Sequence, residues 1–269
     1  MLRIIGTEVV NHRARRRFSQ NFLVDRAYID RIVRSIAPSQ QDHIVEIGPG
    51  LGALTEPLLD AVARLDVIEV DRDAARLLKD RFPGRSLTVH CADFLAFDLG
   101  ALGTGLRVVG NLPYHISTPI LFAVDQRRDQ VRDCHFMLQK EVVDRMIAVP
   151  ASADYGRLSV MLQCHWRIER LFDVPPTVFR PQPKVWSSVV RMRPEQTVSI
   201  ADAGLFYRIV EAAFSKRRKT LRNALRPLLT DEDYEASSID PGRRGETLSV
   251  AEFAGLADQV GRRLSASSE

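Results

Sequence analysis

Apolar positions in this chain fall into short runs separated by amphipathic helical stretches. Between Asp25 and Ile36, the residues Ile29, Ile32, Val33 and Ile36 recur at the i, i+3, i+4, i+7 spacing of a single helix face. Pro38 and the polar Ser39–Asp42 segment close that helix. His43–Ile47 is a compact apolar strand that runs into Gly48-Pro-Gly-Leu-Gly52 and a helix carrying Leu54, Leu58 and Leu59. The alternation continues with strand Leu65–Val70 and helix Asp73–Phe82, then strand Leu87–Cys91. Strand Leu106–Gly110 with helix Ser117–Gln126, and strand Cys134–Leu138 with helix Lys140–Ala148, complete it. Strands and helices alternating over short connections predict an α/β fold, with βαβ units on a mostly parallel sheet covered on both faces.

Two further changes of pattern follow. The apolar run Leu158–Trp166 and the alternating segment Val185–Met192 read as an antiparallel hairpin at the edge of the sheet. Past Pro194 only helical periodicity remains, over about 202–214, 217–229, 231–237 and 249–264. The expected organisation is a basic arm at 1–22, an α/β domain at 23–194 and a small all-helical domain at 195–269.

Composition narrows the class. Hydrophobic residues make up 45% of the chain and charged residues 27%, which is ordinary for a globular protein. No apolar run approaches the roughly 20 residues of a membrane span, so a cytoplasmic protein without a membrane partner is expected, with a monomer as the default state. Cys91, Cys134 and Cys164 form no CxxC pair and read as small buried hydrophobes, with no metal site expected. The net charge of +4 says little, but its distribution says more. Basic residues gather at Arg13, Arg15, Arg16 and Arg17, at Arg180-Pro-Gln-Pro-Lys184, and in a helical stretch at Lys216, Arg217, Arg218, Lys219, Arg222 and Arg226. Charge runs are ordinarily solvated faces. Three such clusters, with Phe18, Phe179 and Phe214 beside them, point instead to a phosphate-backbone partner.

In an open α/β sheet, ligands bind beyond the carboxyl ends of the strands. Here the first strand ends in the glycine turn, which allows close backbone approach and opens a helix N-terminus. The second ends in Glu69, suited to two ribose hydroxyls, and the third in Asp93, suited to an adenine amino group. Gly48-Pro-Gly-Leu-Gly52 is not the G-x-G-x-x-G of dinucleotide folds, because the third glycine comes early and Pro49 interrupts the turn. An adenosine bearing a carboxylate rather than a pyrophosphate fits better, and S-adenosylmethionine is such a ligand. The fourth strand ends in Asn111-Leu-Pro-Tyr114, offering an amide, backbone carbonyls and an aromatic ring, with Pro113 removing an N–H. Acceptors beside an aromatic ring suit a planar base bearing an exocyclic NH₂.

Asn111-Leu-Pro-Tyr114 matches the [N/D/S]-x-P-[Y/F] signature of amino-nitrogen methyltransferases. More widely, the chain resembles the ribosomal RNA adenine dimethyltransferase family. The likeness runs through Arg17-Phe-Ser-Gln-Asn-Phe-Leu23, Glu46-Ile-Gly-Pro-Gly-Leu-Gly52, Val67-Ile-Glu-Val-Asp-Arg72 and Gly110-Asn-Leu-Pro-Tyr114. It continues in Met137–Val143, Tyr155–Val160, Phe179-Arg-Pro-Gln-Pro-Lys-Val185 and Phe214–Asn223. The resemblance implies a Rossmann-like sheet that binds S-adenosylmethionine, and N6,N6-dimethylation of two adjacent adenines near the 3′ end of small-subunit (16S) rRNA. It implies cofactor contacts at Asn21, Leu23, Gly48, Glu69, Asp93 and Asn111. Catalytic contacts would come from Asn111, Leu112 and Tyr114. Phe179 is the candidate for the opposite wall of an adenine sandwich, or else a loop anchor. RNA would be gripped by Arg15, Arg16, Arg17, Lys184, Lys216, Arg217, Arg218, Lys219 and Arg222. Alternatives are the resistance-type branch acting on large-subunit rRNA and a non-catalytic assembly factor. Two positions depart from the family pattern. His115 stands where Asn is usual and reads as a packing or hydrogen-bonding residue, and Trp186 replaces an acidic residue, with sheet-edge packing favoured over stacking.

Overall fold

In the computed structural model, residues 21–216 and 218–266 are described. The expectations for the arm, for Arg15, Arg16 and Arg17, and for Arg217 lie outside those residues. The strands are β1 (Phe22–Leu23), β2 (His43–Ile47), β3 (Arg64–Glu69), β4 (Leu87–Cys91), β5 (Leu106–Asn111), β6 (Val131–Gln139), β7 (Trp166–Val174), β8 (Phe179–Arg180) and β9 (Ser187–Pro194). Helices α1 (Arg26–Ile36), α2 (Thr55–Ala61), α3 (Arg72–Arg81), α4 (Ser117–Asp125), α5 (Lys140–Ile147) and α6 (Arg157–Gln163) accompany the sheet. Helices α7 (Ala203–Phe214), α8 (Leu221–Leu225), α9 (Asp231–Ser237) and α10 (Val250–Ala266) follow it.

Seven strands form one sheet in the order β4-β3-β2-β5-β6-β9-β7, and β1 pairs with β8 in a separate small ladder. The first five are parallel, whereas β9 runs antiparallel to both β6 and β7. Chain order reverses between β2 and β5, and a crevice opens above the carboxyl ends at such a point. None of the described helices is long and apolar enough to cross a membrane.

The edge hairpin exists, but its first strand is β7 rather than the run Leu158–Trp166. Most of that run is α6, which is apolar on nearly every side because it lies between two cores. Leu158 and Leu162 pack with the sheet cluster around Phe136 and Val143. Val160, Met161 and Cys164 pack with Phe206, Ile209, Phe253 and Leu256 of α7 and α10. A helix buried all round loses the 3.6-residue periodicity that would distinguish it from a buried strand.

The expected helix over 217–229 is also shorter, with α8 confined to Leu221–Leu225. Lys216, Arg218 and Lys219 are exposed in the connection after α7, where cations oppose the negative end of a helix dipole. Cys134 and Cys164 are buried as expected, but Cys91 is exposed.

At the opposite end of the sheet from the crevice, Arg107 holds several elements together. Its Nε donates to Asp133 (3.0 Å), its Nη1 to Asp42 (2.7 Å) and its Nη2 to the Ile36 carbonyl (2.6 Å). Burial, the largest single influence, would raise the Asp42 carboxyl; the hydrogen bonds from Arg107 and the Ser39 N–H, with the charges of Arg107 and Arg132, together outweigh it and hold the group below the usual range.

Candidate active site at the carboxyl ends of the parallel strands

A cavity of about 330 Å³ lies where β2, β3 and β5 end, within the size range of small-molecule sites. Its floor is the turn after β2, in which Gly48, Gly50 and Gly52 take φ of +63°, +54° and +83°. Only glycine enters that region without strain. At Gly50 an added Cβ would also lie 3.2 Å from the Phe22 ring. The Gly50 N–H donates to Glu69 Oε2 (3.1 Å), and the Asp71 N–H donates to Oε1 (2.9 Å). Glu69 is therefore buried and pinned through both oxygens, each keeping a lone pair for an incoming hydroxyl. Burial raises its pKa, with those two N–H groups acting in the other direction. Asp93, exposed at the end of β4, accepts from the Leu95 N–H through Oδ1 (2.9 Å) and keeps Oδ2 for a further donor.

The end of β5 presses against β2, and a Cβ on Gly110 would sit 2.6 Å from the Ile47 carbonyl oxygen. Glycine there lets Asn111 reach the cavity wall. Asn111 Nδ2 donates to the Asn21 carbonyl (3.1 Å). A carbonyl can only accept, so the amide nitrogen must face it, and Oδ1 is the atom offered to a ligand. The Leu112 N–H donates to the Met137 carbonyl (3.1 Å), and Ser117 Oγ donates to the Tyr114 carbonyl (3.1 Å). The Tyr114 hydroxyl is tied to Ser187 Oγ at 2.7 Å. Burial lifts the phenol further above its ordinary value, so the half-buried ring remains neutral.

Asn21, Leu23, Gly48, Glu69, Asp93, Asn111, Leu112 and Tyr114 all line this one cavity. Phe179 does not. It is wholly buried, stands opposite Leu23 in the β1–β8 ladder and belongs to the cluster containing Met137, Val174 and Val189. That pairing makes it a support behind the cofactor-side wall, with no ring face left to stack on a base. His115 lines the rim with an exposed side chain and makes no hydrogen bond among the described residues, contrary to a packing or hydrogen-bonding role. Lys184 is exposed outside the cavity. Arg222 is exposed on α8 and pairs with Asp231 at 3.1 Å, so part of its charge is already answered within the chain.

The donor set suits a cationic adenosine derivative. Glu46, Glu69 and Asp93 bring carboxylates to the cavity. Its lining arginine, Arg81, is already committed to the Leu51 carbonyl (2.8 Å) and Glu56 (2.7 Å). A pyrophosphate would meet repulsion here, whereas a sulfonium and an ammonium would not.

A family model described as ribosomal RNA adenine dimethylase matches residues 11–260. The chain belongs to the ribosomal RNA adenine dimethylase family. Among its relatives, ribosomal RNA small subunit methyltransferase A of Nitrosospira multiformis is 52% identical over 94% of this chain and 98% of its own length. The protein of the same name from Thiobacillus denitrificans is 52% identical over 94% of this chain and 100% of its own. The crystal structure of a dimethyladenosine transferase from Plasmodium falciparum superposes with a TM-score of 0.80 at 22% identity. That superposition covers 90% of this chain and 98% of the other, and it shows that the two share one fold.

Three residues of this dimethylase site escape sequence reasoning. Phe22 limits the glycine turn, and Ser187 orients Tyr114 from a strand 73 residues away. Glu46 is the third. It opens the matching stretch Glu46–Gly52, and a lone acid inside an apolar strand was the physical signal that could have singled it out. It is 2% exposed and lines the cavity, with Thr55 Oγ1 donating to its Oε2 at 2.7 Å. Burial pushes its pKa up to about 7, helped by the charge of Glu69, although the Thr55 hydroxyl opposes the shift. Its ionised form attracts a cationic ligand and its protonated form does not. S-adenosylmethionine affinity is therefore expected to rise as pH increases through about 7, and Glu46→Gln is expected to flatten that component. Calorimetric titration of both proteins between pH 6 and pH 8 measures it (roughly one unit either side of the shifted value).

Proposed function

We propose that this chain uses S-adenosylmethionine to dimethylate N6 of two adjacent adenines near the 3′ end of small-subunit rRNA, in the cytoplasm during subunit maturation. The observation that carries the reading is the orientation of Asn111, whose Nδ2 is held by the Asn21 carbonyl so that Oδ1 is presented as an acceptor. The close relatives named for the small subunit favour that rRNA over large-subunit rRNA.

The lone pair of an adenine amino group is delocalised into the ring, so the nitrogen is a poor nucleophile. Asn111 Oδ1 and the Leu112 carbonyl accept its two N–H bonds, which draws the nitrogen towards tetrahedral geometry. Tyr114, held by Ser187, stacks on the base and keeps that nitrogen in line for attack. When bound, S-adenosylmethionine would supply an electrophilic methyl group, whose bond to the sulfonium breaks as the N–C bond forms and leaves a neutral thioether. Glu69 and Asp93 would hold its ribose hydroxyls and its adenine, and the glycine turn would admit its amino-acid end. The methylated ammonium is acidic and releases its proton to water, so no residue has to act as a strong base. After the first transfer only one N–H remains, and stacking by Tyr114 carries more of the positioning. The target base must leave its stack to enter, as for other base-modifying enzymes.

The test is transfer of labelled methyl groups to under-methylated small ribosomal subunits, followed by mass spectrometry of the modified base. N6,N6-dimethyladenosine near the 3′ end is expected. Label confined to large-subunit RNA, or no transfer to either subunit, would defeat the proposal.

A further inference from the structure

Between the β1–β8 ladder and β9 runs a segment whose side chains from Arg180 to Trp186 are mostly exposed. Trp186 ends it with 51% of its surface open to solvent, beside Val185 at 42%. The other tryptophan, Trp166, is 1% exposed and donates to Asp125, so exposure is not general for this residue type here. Among the described residues the Trp186 indole enters no hydrogen bond, ring contact or cation contact. Sheet-edge packing, the role favoured from sequence, is therefore not what this residue does: β9 begins one position later, at the buried Ser187.

Its backbone is nevertheless held firmly. The Trp186 carbonyl accepts from the Lys140 N–H at 2.9 Å, at the start of α5. The next residue, Ser187, is bonded to the Tyr114 hydroxyl. The indole thus stands on fixed backbone next to the residue that orients the reactive loop, and it faces water. A large exposed aromatic is informative where a scattered small apolar residue is not. Lys184, two positions earlier, is exposed and supplies a positive charge beside it.

We propose that Trp186, with Val185 beside it, is a stacking platform for the nucleotide adjacent to the adenine being methylated, while Lys184 meets the neighbouring phosphate. The inference rests on the proposed reading that this site acts on adenines in RNA. Drawing one base out of a strand bares a face of its neighbour, and an indole on rigid backbone covers that face with little ordering cost. Trp186 acts here as a positioning residue for RNA and touches neither the methyl group nor the cofactor.

The test uses the full chain, a short RNA hairpin with two adjacent adenines in its loop, and the variants Trp186→Ala, Trp186→Phe and Lys184→Ala. Trp186→Ala is expected to weaken RNA binding about tenfold, with S-adenosylmethionine affinity and kcat at saturating RNA unchanged. Trp186→Phe is expected to recover most of the loss. RNA should quench the exposed tryptophan emission in the wild type, and that quenching should vanish in Trp186→Phe. Lys184→Ala should reduce the slope of log Kd against log salt by about one phosphate contact, whereas Trp186→Ala should leave the slope intact. Wild-type affinity in Trp186→Ala, or emission insensitive to RNA, would overturn the platform while leaving the methylation reading in force. If the wild type quenches on RNA and Trp186→Ala loses affinity, yet under-methylated small subunits accept no methyl group, Trp186 is an RNA-stacking residue that does not serve methylation, and the proposal falls together with the methylation reading.

Discussion

Asn111→Ala is expected to lower methyl transfer by about a thousandfold, the scale on which an oriented hydrogen-bonding group lost from a transition state is felt. The loss should appear in kcat more than in cofactor affinity, because on the proposed reading Glu69 and Asp93 would hold the other end of the ligand independently. The contact between Asn111 and Asn21 also disappears, which separates the reactive loop from the segment leading into β1. Asn111→Asp distinguishes the two effects. Its carboxylate keeps an acceptor for the adenine amino group but sets an oxygen against the Asn21 carbonyl, so an intermediate rate is expected. Single-turnover transfer with labelled cofactor, alongside equilibrium dialysis, measures both. A rate for Asn111→Ala within tenfold of wild type would show that another group accepts from the adenine.

The largest expected loss of stability comes from the far end of the sheet. Arg107→Ala leaves buried Asp133 without its guanidinium, leaves Asp42 with Arg132 alone (2.8 Å), and releases the Ile36 carbonyl at the end of α1. Breaking a buried pair from one side costs about 3–5 kcal/mol, a drop on the order of 10 °C in Tm for a chain of this size. The same cluster sets an acid limit. Asp42 titrates below its unfolded value, so its contribution is complete above the ordinary carboxylate pKa and is lost as pH falls through the lower, folded value. Arg107→Ala should therefore unfold earlier in urea at pH 7, and the difference from wild type should shrink in acid. An unchanged urea midpoint at pH 7 would mean that the network is dispensable.

The parallel half of the sheet was legible because its strands are short, apolar and separated by amphipathic helices. The carboxylates at their ends could be read as a site from order alone, since carboxyl ends of parallel strands share one edge. What could not be read was whatever depends on two distant segments meeting. The run Leu158–Trp166 carries no period because α6 is covered by the sheet on one side and by α7 and α10 on the other. Phe179, in a loop stiffened by prolines, looks free in one dimension, and only its pairing opposite Leu23 takes it into the core. Trp186 shows the reverse. It reads as part of an alternating strand, yet β9 starts just after it. Ser187 is one hydroxyl among many until Tyr114 is brought to within 2.7 Å.

The double burial of α6 also limits how this protein can be recombined. Chimaeras are commonly cut where the texture of the sequence changes, here just after Pro194. A cut there would graft a foreign helical tail onto Val160, Met161 and Cys164, side chains shaped to receive this chain's own Phe206, Ile209 and Phe253. The unit that can be exchanged to retarget the enzyme is therefore larger than the tail. It must bring α6 with it, and α6 is also bound to the core beneath the sheet through Leu158 and Leu162. The helical tail and the sheet core are thus joined by one seven-residue helix, and on the proposed reading a change of substrate RNA is expected to be easier at exposed positions such as Lys184 and Trp186 than by exchanging whole modules.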